Sequence, residues 1–556
     1  MSAIAILVFG LTLFFVGAKF YSKFLAQKIF RLDPSFKTPA HQFKDGVDFV
    51  PTSRHVLFGH HFTSVAGAAP ILGPAIAIIW GWVPALIWVV FGTILAGAVH
   101  DFGTLWVSGR HGGQSIGSLT GRIVSSRARI LFLLVIFFLV VMVNAVFAMA
   151  IANLFIKYPG TVIPINIEIP LAILIGYLVY KKRQKIFWPS VIALLALYFF
   201  VWVGSYIPVT LPGDEWTQRI TWIILLLAYG FIAASLPVWT LLQPRDYINS
   251  HQLFVGLGIL YVGVILLNPE ITAPQYNPDA PTSWFPLLFI TIACGAISGF
   301  HGLVSSGTTS KQLNKETDAR YVGYGGAIGE GSLALMSILA CVAAFGSSGE
   351  WKAFYGSGIG VAQAIQAFVT GGAKFAAAWG IPEDIGQIFI GVMIISFAAT
   401  SLDTSIRILK YVISEIGKQY QIKILQKGWL AALIGVVISG FLVLHDGEGK
   451  GGLLIWPLFG TTNQLMAGLS LLVVSLYLKY SRRPVVYVII PMIFLLAMTS
   501  ISMVIQLKTY FVKESYLLFV VGGIILILEL LVILEAIFAL SSTGKGKRDE
   551  PAEEVR

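Results

Sequence analysis

Apolar residues run along this chain in blocks of about 20, the length that crosses a bilayer's hydrocarbon core, and short polar stretches separate them. Fifteen blocks predict fifteen helical spans: 3–22, 56–79, 83–107, 130–156, 162–180, 188–207, 220–242, 251–268, 286–309, 321–345, 386–408, 428–445, 452–478, 484–506 and 515–541. The second, VLFGHHFTSVAGAAPILGPAIAII, is the one the others are arranged around. His60, His61, Thr63 and Ser64 lie near one end of it, and Gly67, Pro70, Gly73 and Pro74 interrupt its middle. Proline removes a backbone donor and crowds the preceding turn. In lipid such a helix survives only where it lines a cavity or is buried in protein. The pattern fits a kinked packing helix and a transporter-type binding site.

Five spans later, 220–242 carries Gly230, Ser235 and Pro237 and has the opposite predicted direction. Two interrupted, antiparallel helices at that separation are what a 5+5 inverted repeat requires. This places the core at 56–408. Residues 1–55 form a peripheral first helix and loop, 409–541 are peripheral helices, and 542–556 is a polar, disordered tail. The loop 346–385 holds a weakly apolar stretch, GIGVAQAIQAF, that either lies on the membrane surface or re-enters it.

Charge fixes the orientation. Lys and Arg collect in cytoplasmic loops. With the N-terminus outside and the C-terminus inside, all but seven of the 38 (Lys157, Arg219, Lys352, Lys374, Lys450, Lys508 and Lys513) fall on the inner side, Arg245 among them. The net charge of +11 is thereby explained without nucleic acid. With 556 residues, 56% hydrophobic and 12% charged, the composition is that of an all-α polytopic membrane protein and leaves no stretch for a soluble domain. Cys294 and Cys341 lie inside apolar segments and read as packing residues rather than a disulfide framework. Residues 1–18 lack a positive n-region, so they do not read as a cleavable signal.

Titratable groups at depth are costly and face a cavity or one another. Span 3 carries His100 and Asp101, span 9 His301, span 10 Glu330 and span 11 Asp403. At about 1.5 Å per residue, His61, His100, Asp101, His301 and Asp403 fall at one depth in the inner half of the membrane, with Glu330 slightly deeper. One reading is a proton-coupling site, since histidine titrates near neutral pH; another is a static polar network. A third is a divalent metal site, although there is no HExxH or CxxC, and His60 and His61 diverge by about 100° on a regular helix. No resident cofactor is expected, and the coupling ion is H+ with Na+ as the alternative. Ser64 and Gly67 at the first break, and Ser305, Ser306 and Thr309 in the run SSGTT, are candidates for substrate or cation contact. That run equally suits a helix cap before Lys311. Glu529 and Glu535 in the last span have no evident role.

Four stretches together resemble the carbon-starvation protein A family of transporters: DFVPTSRHVLFGHHFTSVAGAAPILGP (48–74), LAGAVHDF (95–102), FPLLFITIACGAISGFHGLVSSGTTSKQL with ETDARYVGYG (285–325), and IWPLFGTTNQLMAG (455–468). The resemblance implies uptake of short peptides across the bacterial inner membrane under carbon limitation. Some members are proton-coupled pyruvate importers instead. It also implies the amino acid–polyamine–organocation superfamily, with a LeuT-type core whose first and sixth helices are broken and whose first and eighth form a cation site; the eighth here is the SSGTT helix. The expected function is proton-coupled import of a peptide or pyruvate, with no enzyme activity, no nucleic-acid partner and the lipid bilayer as surroundings. The rival classes are an intramembrane metalloenzyme and a channel. The sequence does not choose between peptide and pyruvate, and it does not give the oligomeric state.

Overall fold

The computed structural model describes residues 2–46, 48–447 and 451–542. The tail expected to be disordered lies outside them except for its first residue. Among the described residues the regular structure is helical, with a single isolated bridge between Thr52 and Leu313. Among the described residues, twelve helices are long and apolar enough to cross a membrane, so the chain is a multi-pass membrane protein.

The chain begins with α1 (Ala3–Ile29). The first interrupted span follows as α2 (Arg54–Ala66) and α3 (Ala69–Ala77). Next come α4 (Trp82–Arg110), α5 (Ser126–Lys157), α6 (Pro159–Lys181), α7 (Phe187–Tyr206), α8 (Glu215–Ser235) and α9 (Leu242–Leu267). Three short helices make a second interrupted span: α10 (Leu287–Thr291), α11 (Ala293–Ala296) and α12 (Gly299–Gly307). The remainder is α13 (Arg320–Ala343), α14 (Val361–Ala377), α15 (Glu383–Gln419), α16 (Gly428–Leu444), α17 (Gly451–Tyr480), α18 (Val486–Val512) and α19 (Tyr516–Ser542).

Local chemistry sets several boundaries. Ser125 accepts from the Ala128 N–H and caps α5, and Asp214 caps α8 through the Thr217 N–H. Asn268 ends α9 in the left-handed region. A wide π-type stretch, Trp88–Gly97, runs into the turn of α4 that carries His100 and Asp101. Such stretches re-aim the side chains that follow and recur at functional sites.

The first break is where the prolines placed it. Gly67 has φ 21°, and the helices on its two sides are bent by 47°. Pro70 stands in the first turn of α3, where its missing N–H has no intrahelical partner to lose.

The second break is not where the sequence placed it. Helix α8 runs unbroken through Gly230, which leaves room for the Ile406 side chain, and the chain unwinds only at 236–241, between two helices. The interruption falls instead inside 286–309: Cys294 and Gly295 are non-helical, and Ile297 and Ser298 are extended. The repeat pairing drawn from 56–79 and 220–242 therefore loses its second member. Two glycines admit the unwound segment. A Cβ on Gly97 would lie 2.1 Å from the Ala296 carbonyl oxygen, and one on Gly73 2.4 Å from that of Thr291.

The apolar stretch of the 346–385 loop forms α14. It buries Ala364, Ile365 and Phe368 against α9, α13 and α15, so it enters the bundle instead of lying on its surface.

Candidate functional site

Helix α2 packs against α9, α12, α13 and α15 and separates two buried polar networks.

The first network joins α4, α12 and α13. Asp101 is fully buried and bridges two imidazoles: its Oδ1 lies 2.8 Å from His100 Nδ1 and its Oδ2 2.8 Å from His301 Nδ1. An ionised carboxylate only accepts, so both Nδ1 atoms are the donors and both rings present Nε2 outward. His301 Nε2 then stands 3.2 Å from Glu330 Oε2. A nitrogen and a carboxylate oxygen that close can pass a proton between them, as imidazolium with carboxylate or as imidazole with carboxylic acid. His100 Nε2 and Glu330 Oε1 have no hydrogen-bond partner and are the free ends of the chain. His61 stands beside it. Its Nδ1 lies 2.9 Å from Thr309 Oγ1, and its ring covers Gly326, one turn before Glu330 on α13.

The second break holds His301 in place. Asn463 on α17 accepts the Phe300 N–H at 3.0 Å through Oδ1, and its Nδ2 donates to Ser298 Oγ at 3.0 Å and reaches Cys294 Sγ at 2.7 Å. One distant amide thus satisfies groups that the unwound segment would leave orphaned.

The second network joins α6, α8, α9 and α15 around Arg245, which is 1% exposed. Arg245 Nε donates to Glu168 Oε1 at 3.1 Å, and its Nη1 donates to Asp403 Oδ2 at 2.8 Å and to the Tyr229 hydroxyl at 2.7 Å. Tyr229 in turn donates to Asp403 Oδ2 at 2.8 Å. Glu168 Oε2 accepts from the Ser396 hydroxyl at 3.2 Å, while Asp403 Oδ1 is buried without a partner. On the next residue of α9, Asp246 Oδ2 receives the Ser64 hydroxyl at 3.2 Å and lies 2.8 Å from His60 Nδ1.

Asp403 therefore does not join the layer with His61, His100, Asp101, His301 and Glu330. Counting residues from a helix end gives depth but not direction, and α15 turns this residue toward α8 and α9. Arg245 is not a loop residue, because α9 starts at Leu242 and carries it inside.

Of the hydroxyl candidates, Ser64 touches the second network and Thr309 borders the first. Gly67 lies against Ser401, and Ser305 Oγ is buried without a partner. Ser306 is occupied: its hydroxyl donates to Gly302 O at 2.6 Å and accepts the Ile116 N–H at 2.9 Å. Among the described residues no three His, Cys, Asp or Glu side chains converge as a metal-ligand set. A cavity lined by His60, Ser64, Leu242, Thr308, Thr404 and Arg407 reaches the two α2 residues that contact Asp246, and Asp48 and the exposed Tyr411 also line it.

Sequence reasoning missed Glu168, Tyr229, Arg245 and Asp246. Glu168 was visible as the lone carboxylate within the apolar run 162–180. The other three carried no comparable signal.

The family model described as carbon starvation protein CstA matches residues 2–355 and 352–502. The peptide transporter CstA of Campylobacter jejuni is 33% identical over 563 residues, covering 90% of this chain and 79% of its own length. That of Escherichia coli is 33% identical, covering 87% and 78%. The pyruvate/proton symporter BtsT of Escherichia coli is 37% identical over 356 residues, covering 61% of this chain and 49% of its own. A solved structure, a manganese transporter of Eremococcus coleocola in complex with an aromatic bis-isothiourea compound, shares the fold with TM-score 0.51 at 15% identity, covering 89% of this chain and 98% of the other. With matches of this length and identity along most of its residues, this multi-pass membrane protein belongs to the carbon starvation protein CstA family.

Proposed function

We propose that the protein is a secondary active transporter that imports a small carboxylate-bearing solute, a short peptide or pyruvate, with protons as the coupling ion. The carrying observation is the close approach of His301 Nε2 and Glu330 Oε2, 3.2 Å apart and buried, a distance across which a proton can pass, beside two interrupted spans. A proton confined to a chain with two free ends, His100 Nε2 and Glu330 Oε1, can be taken up at one end and released at the other as the helices around the breaks change packing. The relatives' names support both substrate classes: peptide transporter for those that match most of the chain, pyruvate/proton symporter for the other.

In the N-out orientation the cavity ending at His60 and Ser64 faces the cytoplasm. The setting is then the inner membrane of a bacterium short of carbon. A LeuT-type core of inverted repeats within 56–408 would place the interrupted spans α2–α3 and α10–α12 at its centre. His61, His100, Asp101, His301 and Glu330 carry coupling in this reading, and Ser64, Gly67, Ser305 and Thr309 line the route of substrate or ion.

The test is uptake into proteoliposomes of purified protein, with labelled pyruvate and a labelled dipeptide offered separately, sodium absent, with and without an inward proton gradient. Accumulation of either only with the gradient supports the reading. Accumulation of neither, or accumulation that needs sodium, contradicts it.

A further inference from the structure

The second network has a charge imbalance that packing alone does not explain. Arg245 is one fixed cation, and two carboxylates, Glu168 and Asp403, contact it in a fully buried site. With both ionised, one negative charge is left uncompensated among apolar helices, a costly arrangement. Asp246 beside it adds another, which His60 at 2.8 Å offsets when protonated. The two carboxylates are not equivalent. Both oxygens of Glu168 are engaged, by Arg245 and Ser396, whereas Asp403 Oδ1 has no partner. Arg245 and Asp403 do not themselves line the cavity, but they lie next to residues that do. The cavity is lined by Leu242, one turn before Arg245 on α9, and by Thr404, the neighbour of Asp403 on α15.

We propose that Arg245 is the receptor for the carboxylate of the transported solute, and that Asp403 is its resident competitor. This assignment rests on the import reading above. A proton separate from the one exchanged by His301 and Glu330 enters on Asp403, whose pairing with Arg245 Nη1 is given up, and the solute carboxylate takes that place on the guanidinium. Nothing is oxidised or reduced and no covalent bond forms apart from the O–H on Asp403. Proton and carboxylate bring opposite unit charges, so the charge buried in the site is the same when it is empty and when it is fully loaded. Loading either alone changes it by one unit, and that penalty enforces joint binding. Tyr229 keeps a hydroxyl on the pair in either state.

The groups that face Asp403 are consistent with this exchange. From α9 come Arg245 and Asp246, from α8 Tyr229, and from α6 Glu168 through Arg245. Helix α2 reaches it only through His60 on Asp246. On α15 itself Arg407 stands one turn away and donates to the carbonyls of Ala233 and Leu236. Helices α5 and α16 contribute the neutral Asn144 and Ser439, α7 the neutral Tyr198, and the Lys374 amine on α14 is held by the Ala344 carbonyl.

The test uses the full-length protein in detergent, with pyruvate and alanylalanine as probes, by titration calorimetry at several pH values and with an indicator dye in weak buffer. The wild type is expected to take up about one proton per carboxylate bound, and its affinity to fall about tenfold per pH unit on the alkaline side. Asp403→Asn keeps Arg245 paired with Glu168 and Tyr229; it is expected to bind the same probe with no proton uptake and a flat pH profile. Arg245→Lys, which keeps the charge and loses the planar fork, is expected to bind more weakly.

A wild-type pH slope retained in Asp403→Asn, or unchanged affinity in Arg245→Lys, overturns the receptor. So does failure of the wild type to bind either probe. If gradient-driven uptake by the wild type persists alongside any of these results, the import reading stands and only the receptor falls. If that uptake is absent as well, both fall.

Discussion

His60 and His61 are consecutive on α2 yet serve different networks. His60 Nδ1 lies 2.8 Å from Asp246 Oδ2, and His61 Nδ1 lies 2.9 Å from Thr309 Oγ1. The angular step of about 100° per helical residue sends one ring toward α9 and the other toward α12 and α13. A movement of α2 therefore changes the surroundings of both networks at once. This is a physical route by which a proton on one side and a solute on the other can influence each other.

The His61 ring needs the space that Gly326 leaves. A Cβ there would lie 2.6 Å from His61 Cδ2. Gly326→Ala is expected to cost about 1–3 kcal/mol by overpacking and to lower uptake by displacing the ring. Adding His61→Ser should restore the melting temperature but not the uptake. Thermal unfolding in detergent, paired with proteoliposome flux, checks both.

Breaking the second network from the cationic side should be severe. Arg245→Gln leaves Glu168 and Asp403 buried without a counter-charge, and about 3–5 kcal/mol of stability is expected to be lost. Combining it with Glu168→Gln and Asp403→Asn removes the charges together and should recover most of that loss. Fluorimetric melting of the single and triple variants measures the difference. Equal destabilisation of the two would show that the charges are not what holds these helices.

Asn463 is expected to be a positioning residue for His301. Asn463→Ala leaves the buried Phe300 N–H without its acceptor, at about 1–3 kcal/mol. It should weaken proton-driven uptake more than exchange, because α12 carries His301 on its first turn. Asn463→Asp, which keeps the acceptor, should recover part of the effect.

The first network was largely legible in the sequence. His100, Asp101, His301 and Glu330 stand out as titratable groups in apolar runs, and a common depth is enough to bring residues of neighbouring helices together. What the sequence could not supply was azimuth. Asp403 has the depth of the others and faces the opposite way. The start of α9 was hidden for a related reason: Gln243, Arg245, Asp246 and Asn249 look like a loop because they are polar, yet they form the first turns of a helix whose partners are buried charges.

The second break was misplaced because its cause is not local. Pro237 marks a helix end, whereas the interruption at Cys294–Ser298 contains no proline. It is held by Asn463, more than 160 positions away, and admitted by Gly73 and Gly97.

The central claim is that the proton between His301 and Glu330 drives uptake, and Glu330→Gln tests it most directly. The amide keeps the size of the side chain and cannot exchange a proton with His301 Nε2. In proteoliposomes the variant is expected to lose accumulation of pyruvate or dipeptide against a gradient, while counterflow exchange of the same solute continues at a rate within about tenfold of the wild type. Accumulation that persists with an inward proton gradient would contradict the account.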